Sequence, residues 1–279
     1  MALLLSVLEQ GMIYGILALG VYITYKILDF PDLTVDGSFP FGAAITVRLI
    51  NGFGVPAILT LPIAFLGGAL VGICTGLIHV KLKVRDLLSG IIMMTGLYTI
   101  NLWVAGSGYV AIFDKENIFN NSFVNSITPG FLVNFKNVIW YMSTKSGFLL
   151  RAVGDNDTIV TSLGVDKGLV KIVGLSIANG LVSLSGCIYA QQQRSFEISI
   201  GTGAVVIGLA SVIIGTSLFK KVTFFRVTSS VVVGSILYKA CVAVAMFAGI
   251  SPNAIKLITA VLFLIILVVS MDRKKVKAC

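Results

Sequence analysis

Apolar positions in this chain form long stretches separated by short polar connections, from one end of the sequence to the other. A helix rises 1.5 Å per residue, so roughly 20 apolar residues cross a hydrocarbon core of about 30 Å. The runs fall at Gly11–Leu28, Gly37–Ile50, Val55–His79, Leu87–Ala105, Phe131–Ser143, Gly168–Gln192, Gly201–Phe219, Val227–Gly249 and Ile255–Met271. The pattern predicts an all-α polytopic membrane protein with eight to nine transmembrane helices, organised as one domain over residues 1–279.

Several polar positions break this pattern where a simple hairpin should be short. The segment Leu28–Ser38 holds Asp29, Asp32 and Asp36 together with Pro31 and Gly37. Proline ends or bends the preceding helix, and Thr34, Asp36 and Ser38 are suitable N-caps for the next. Non-helical backbone at membrane depth needs protein or water to satisfy it, which predicts a discontinuous helix lining a path. An ordinary connecting loop is the alternative. Thr95, Tyr98, Thr99 and Asn101 interrupt Leu87–Ala105, and Gln191–Gln193 lead through Arg194 and Glu197 to Gly201-Thr202-Gly203. Small and hydroxyl residues also mediate ordinary helix packing in membranes. Candidate path residues are Asp32, Thr34, Asp36, Ser38, Thr95, Tyr98, Asn101 and Thr202. One break follows the first run and another the sixth. The odd number of spans between them gives the two halves opposite topology, an inverted repeat.

Composition strengthens the membrane reading: 57% of residues are hydrophobic and 12% charged, about half the charge of a soluble domain. The net charge of +9 is a topology signal. If the chain alternates, Lys26, Lys81, Lys83, Arg85, Lys145, Arg151, Lys167, Lys171, Lys220, Lys221, Arg226 and the tail basics share one side, 15 of the 21. The positive-inside rule makes that side, with the C-terminus, cytoplasmic. Charges scattered over short loops do not make a nucleic-acid footprint. Lys239 sits mid-span, where a lysine is costly and faces protein or water. Cys74, Cys187 and Cys241 lie inside apolar runs without metal-ligand spacing, and His79 is the one histidine. No metal site, catalytic pair or cofactor is expected on this chain.

The longest basic-side connection reads TKSGFLLRAVGDNDTIVTSLGVDKG from Thr144. Asp155 or Asn156 can cap a short helix that Gly164 stops, presenting Ile159, Val160 and Leu163 to solvent. Exposed apolar residues of this kind are a natural contact for another protein.

At this segment the chain resembles the permeases of bacterial ABC importers of the branched-chain amino acid and ribose type. The likeness lies in Arg151-Ala152, Gly154-Asp155-Asn156 and Leu163-Gly164-Val165, in DLTVDGS at Asp32–Ser38, and in Gly201-Thr202-Gly203 through Ser211. ILDFPDLTVDGSFP is similar to a branch linked with tryptophan or tyrosine uptake. The resemblance implies a dimer of permeases in the cell membrane. Each contacts a cytoplasmic ATPase through a coupling segment at about 144–167, and an extracytoplasmic protein delivers substrate. Arg151, Gly154, Asp155, Asn156, Val160, Leu163 and Gly164 are the coupling residues it implies. The chain itself contains no G-x-x-x-x-G-K-[ST] phosphate loop, so the energy source lies on another chain or in an ion gradient; the resemblance implies ATP used by the partner subunit. Family members carry a full span before this segment, whereas Phe131–Ser143 supplies 13 residues. The competing reading is an ion-coupled secondary transporter using Asp29, Asp32 or Asp36, which has no need of a coupling segment.

Overall fold

The computed structural model describes residues 2–112, 118, 167–219 and 227–247, with isolated positions 257, 260, 261 and 264. The expected run at Phe131–Ser143 lies outside the described residues, as does Ile255–Met271 apart from those positions. Helix α1 (Ala2–Tyr22) passes into a π-helical turn at Ile23–Ile27, and α2 covers Val35–Phe53. A 3-10 turn at Ala57–Leu59 leads into α3 (Thr60–Lys81), followed by α4 (Asp86–Ala105) and strand β1 (Tyr109–Ala111). Helix α5 spans Lys167–Gln193, then come β2 (Ser195–Glu197), a 3-10 turn (Ile198–Gly201), α6 (Ala204–Leu218) and α7 (Val227–Phe247). Among the described residues, six segments are long and apolar enough to cross a membrane. Each matches an expected run to within a few residues. Helix α2 carries Asp36, Ser38, Thr46 and Arg48 and packs against α5, with most of its length buried.

The directions of the helices follow from their contacts. Gly20 of α1 meets Ala178 of α5, and Ser185 donates to Ile13 O, so α1 and α5 are antiparallel. Gly11 and Gly15 pack against Ile236 and Val232 of α7, again antiparallel. Gly215 and Gly234 fix α6 antiparallel to α7 through Ser230 and Ser211. Lys26, Lys81, Arg85 and Lys171 therefore gather at one end of the bundle, here called the basic end. The opposite end is closed by a short antiparallel ribbon pairing Tyr109 with Glu197 and Ala111 with Ser195, and Asn51 donates to Ala111 O across it. The hydrophobic pattern does not predict this ribbon, because three-residue strands leave no periodic trace.

Both α2 and α6 begin inside the bundle. α2 runs away from the basic end and α6 toward it, so α1–break–α2 and α5–break–α6 run in opposite senses. The first break is the segment 28–34. Asp29 there adopts a left-handed φ of 50°, and Phe30 donates its N–H to Thr24 O.

Small residues let the helices approach. Gly68, Gly72 and Gly76 line α3 at four-residue intervals against Asn179, Leu175 and Ile172 of α5. A Cβ on Gly72 would lie 2.2 Å from Leu175 O, so nothing larger than glycine fits there. Lipid tails supply no hydrophobic drive between helices, and close van der Waals approach takes its place. The outer surface is apolar, with Leu66, Leu70, Ile92 and Trp103 exposed.

Candidate functional site

The first turn of α2 is the hub of the buried polar structure. Thr34 occupies the N-cap position of α2 but makes no side-chain cap. Its N–H donates to Asp32 Oδ1 at 2.9 Å. Asp32 Oδ2 accepts from Asn179 Nδ2 at 2.8 Å, and Ser38 Oγ donates to Asn179 Oδ1 at 2.6 Å. The Thr34 and Thr75 hydroxyls lie 3.2 Å apart. Thr75 Oγ1 also lies 3.1 Å from Val71 O, and the Thr34 side chain also bonds to the Asp32 carboxylate. Asp32, Thr34, Ser38, Thr75 and Asn179 are all buried, as polar groups at this depth must be to find partners. Three elements are joined: the break with α2, α3, and α5.

Asp36 reaches elsewhere. The expected role was a cap on its own helix; instead its carboxylate caps α6. Oδ2 accepts from Gly203 N at 3.1 Å and Oδ1 from Val205 N at 2.8 Å. The first N–H groups of a helix have no internal acceptor and carry the positive end of its dipole, so a carboxylate suits them. Gly203 stands at φ 85°, a conformation glycine adopts without strain. Pro40, inside α2, removes the helical bond that Asp36 C=O would accept. Gly201 comes against that carbonyl so closely that its own Cβ would lie 2.1 Å away. The two half-helices are thus locked N-terminus to N-terminus.

The other expected path residues divide. Asn101 is buried in α4, and its Nδ2 donates to Gly37 O at 3.1 Å, holding α4 to the start of α2. Its Oδ1 has no partner among the described residues. Thr95 and Tyr98 face away from this hub and are exposed, Tyr98 by 54%. Thr202 is exposed beside Gly203, with its hydroxyl donating to Ser199 O at 2.5 Å. The expected coupling residues Arg151, Gly154, Asp155, Asn156, Val160, Leu163 and Gly164 lie outside the described residues.

Sequence reasoning missed Asn179 and the seam it belongs to. Lys171, Asn179, Ser183, Cys187 and Gln191 stand at four- or eight-residue intervals on one face of α5. At the basic end Lys171 Nζ donates to His79 Nε2 at 3.1 Å. His79 Nδ1 then carries the proton and faces Val84 O at 2.9 Å and Asp86 Oδ1 at 3.1 Å. Phe30 packs edge-on against the same ring at 5.1 Å. Further along, Ser183 donates to Ala64 O, and Gln191 donates to Thr60 Oγ1 and Ala57 O. A recurring polar residue every fourth position in an otherwise apolar run was the available signal. Lys239, whose partner the sequence does not identify, places its ammonium 3.6 Å from the centroid of the Tyr14 ring.

Six segments long and apolar enough to cross a membrane, with α6 among them meeting α2 N-terminus to N-terminus inside the bundle beside a buried polar hub, describe a multi-pass membrane protein. Residues 3–268 match a family described as the permease component of the branched-chain amino acid transport system, and the chain belongs to that family. It is 41% identical over 264 residues to a tyrosine transport system permease protein of Clostridioides difficile, covering 94% of this chain and 89% of that one. It is 26% identical to a ribose import permease of Escherichia coli K12, covering 76% and 68%. A probable branched-chain amino acid transport permease of Methanocaldococcus jannaschii is 25% identical, covering 72% and 70%. No solved structure matches the chain.

Proposed function

We propose that this chain is the membrane-spanning subunit of an ATP-driven importer that carries an amino acid, of the aromatic class, across the bacterial cell membrane. The observation that carries this reading is the pair of half-helices α2 and α6, whose N-termini meet inside the bundle around Asp36. Such opposed broken helices are where transporters hold polar solutes, and where two halves of a bundle move against each other. The tyrosine transport relative supports the aromatic class. The path is bordered by Asp32, Thr34, Asp36, Ser38 and Asn101, with Thr202 at its rim. Thr95 and Tyr98 line the exposed face of α4, where a second copy of the permease completes the channel.

The basic end faces the cytoplasm by the positive-inside rule, and the basic tail with it. On this reading the segment 144–167, which leads into α5 at that end, is the part that docks into a separate ATPase, through Val160 and Leu163 with Arg151, Gly154, Asp155, Asn156 and Gly164. An extracytoplasmic binding protein delivers substrate at the ribbon end. The chain binds no cofactor of its own, and ATP is used by its partner. An ion-coupled carrier fits less well, because Asp32 and Asp36 already hold protein donors.

The test is Val160→Asp or Leu163→Asp. Losing a buried apolar anchor at a hot spot costs about 2 kcal/mol or more, roughly thirtyfold in affinity. The variant is expected to reach the membrane at normal level, to lose its ATPase on co-purification in mild detergent, and to stop uptake. Retention of both the ATPase and full uptake would remove this segment from the mechanism.

A further inference from the structure

We propose that the aromatic group Tyr14–Phe39–Tyr189, with the ammonium of Lys239 and the amide oxygen of Gln192, is the recognition site for an aromatic amino-acid zwitterion. This rests on the importer reading above and deepens it by naming the site that selects the substrate.

Three rings stand together where α1, α2 and α5 converge. Tyr14 lies 5.7 Å from Phe39 and 5.7 Å from Tyr189, and Phe39 lies 5.5 Å from Tyr189. They pack with Val35 and Ala204, the first helical residues of α2 and α6, so the group adjoins the junction that Asp36 locks. A planar aromatic side chain finds offset and edge-on partners in such a group.

The charges match as well. Lys239 Nζ sits over the Tyr14 ring at 3.6 Å, and no carboxylate pairs with it among the described residues. A ring face occupies one side of an ammonium that carries three N–H donors, leaving donors for a carboxylate. One helical turn beyond Tyr189, Gln192 bonds to Glu9. Its Oε1 is buried with no partner among the described residues, an acceptor placed for an ammonium. Tyr14 and Phe39 are buried, whereas Glu9, Tyr189, Gln192 and Lys239 are half-buried. The group therefore has a closed aromatic floor beneath a partly buried polar edge in which Gln192 Oε1 itself is shielded from solvent, and a lysine at this depth marks a functional position by its cost.

The test is uptake of radiolabelled L-tyrosine by cells carrying the full permease with its ATPase and binding protein. Lys239→Met removes the carboxylate partner and keeps the stem, and uptake is expected to fall about tenfold or more, chiefly through a raised KM. Lys239→Arg keeps a cation and is expected to remain within about threefold of wild type. Tyr189→Leu is the second variant, expected to lower the preference for tyrosine over leucine whether or not Lys239→Met reaches the membrane. Equal loss in Lys239→Met and Lys239→Arg, with ring preference unchanged in Tyr189→Leu, would make Lys239 a structural staple on Tyr14 and overturn the site. Normal uptake by Lys239→Met overturns the site and leaves the importer reading standing. A wild-type complex that imports no tyrosine overturns the aromatic reading and the site together.

Discussion

Asn179 is the residue on which the buried hub turns, since it donates to Asp32 and accepts from Ser38 with the two ends of one amide. Asp32→Asn would set an amide NH2 against the Asn179 NH2, leaving buried donors unpaired at about 1–3 kcal/mol each. Exchanging the pair, Asp32→Asn with Asn179→Asp, restores a donor–acceptor contact and still accepts the Ser38 hydroxyl. Thermal melting in detergent is expected to show a lower Tm for Asp32→Asn alone and partial recovery in the exchange. Equal loss in both would mean that charge at 32, and not the bond to 179, holds the break. Asp32, Thr34 and Ser38 were legible in the sequence because polar residues stood where a hairpin should be short. Asn179 was not, because a single amide in a long apolar run also reads as ordinary packing. The Asp36 cap on α6 was illegible for a different reason: its acceptor and donors lie 167 and 169 positions apart.

At the scale of elements, α3 and α5 form the most extensive helix pair among the described residues, and glycine spacing sets how close they come. Gly72→Leu would force a side chain into Leu175 O and push α3 from the polar seam that runs from His79 to Gln191. Overpacking costs about 1–3 kcal/mol, and here the obstruction is backbone that cannot turn aside. Gly96 of α4 is the control, for a Cβ there meets nothing within 4 Å. Size-exclusion chromatography of tagged protein is expected to show loss of a monodisperse peak for Gly72→Leu and a normal peak for Gly96→Leu. If both behave alike, helix contact does not limit this fold. The existence and approximate bounds of the six spans were legible from hydrophobic length alone. Which helices touch was not, since 85 residues lie between Lys81 at the end of α3 and Lys167 at the start of α5, and periodicity says nothing about partners.

For the whole molecule, the decisive quantity is which end faces the cytoplasm. Lys26, Lys81, Arg85 and Lys171 come to one end by the antiparallel contacts of α1, α3 and α5, without any assumption about a membrane. Positive charge is retained on the cytoplasmic side, so the positive-inside rule predicts that this end faces in and the Tyr109–Ala111 ribbon faces out. This orientation puts the half-buried edge of the Tyr14 aromatic group toward the side from which substrate arrives. It also puts His79, Lys171 and the break at Phe30 next to the start of α5, where the proposed coupling segment ends. In a chain with its own cysteines replaced, Lys83→Cys is expected to resist a membrane-impermeant maleimide in intact cells, and Ser107→Cys, in the exposed turn before the ribbon, to react. Permeabilised cells should label both, which separates shielding from burial. Labelling of Lys83→Cys but not Ser107→Cys in intact cells would invert the bundle, and an inverted bundle would place the aromatic group on the wrong side for import.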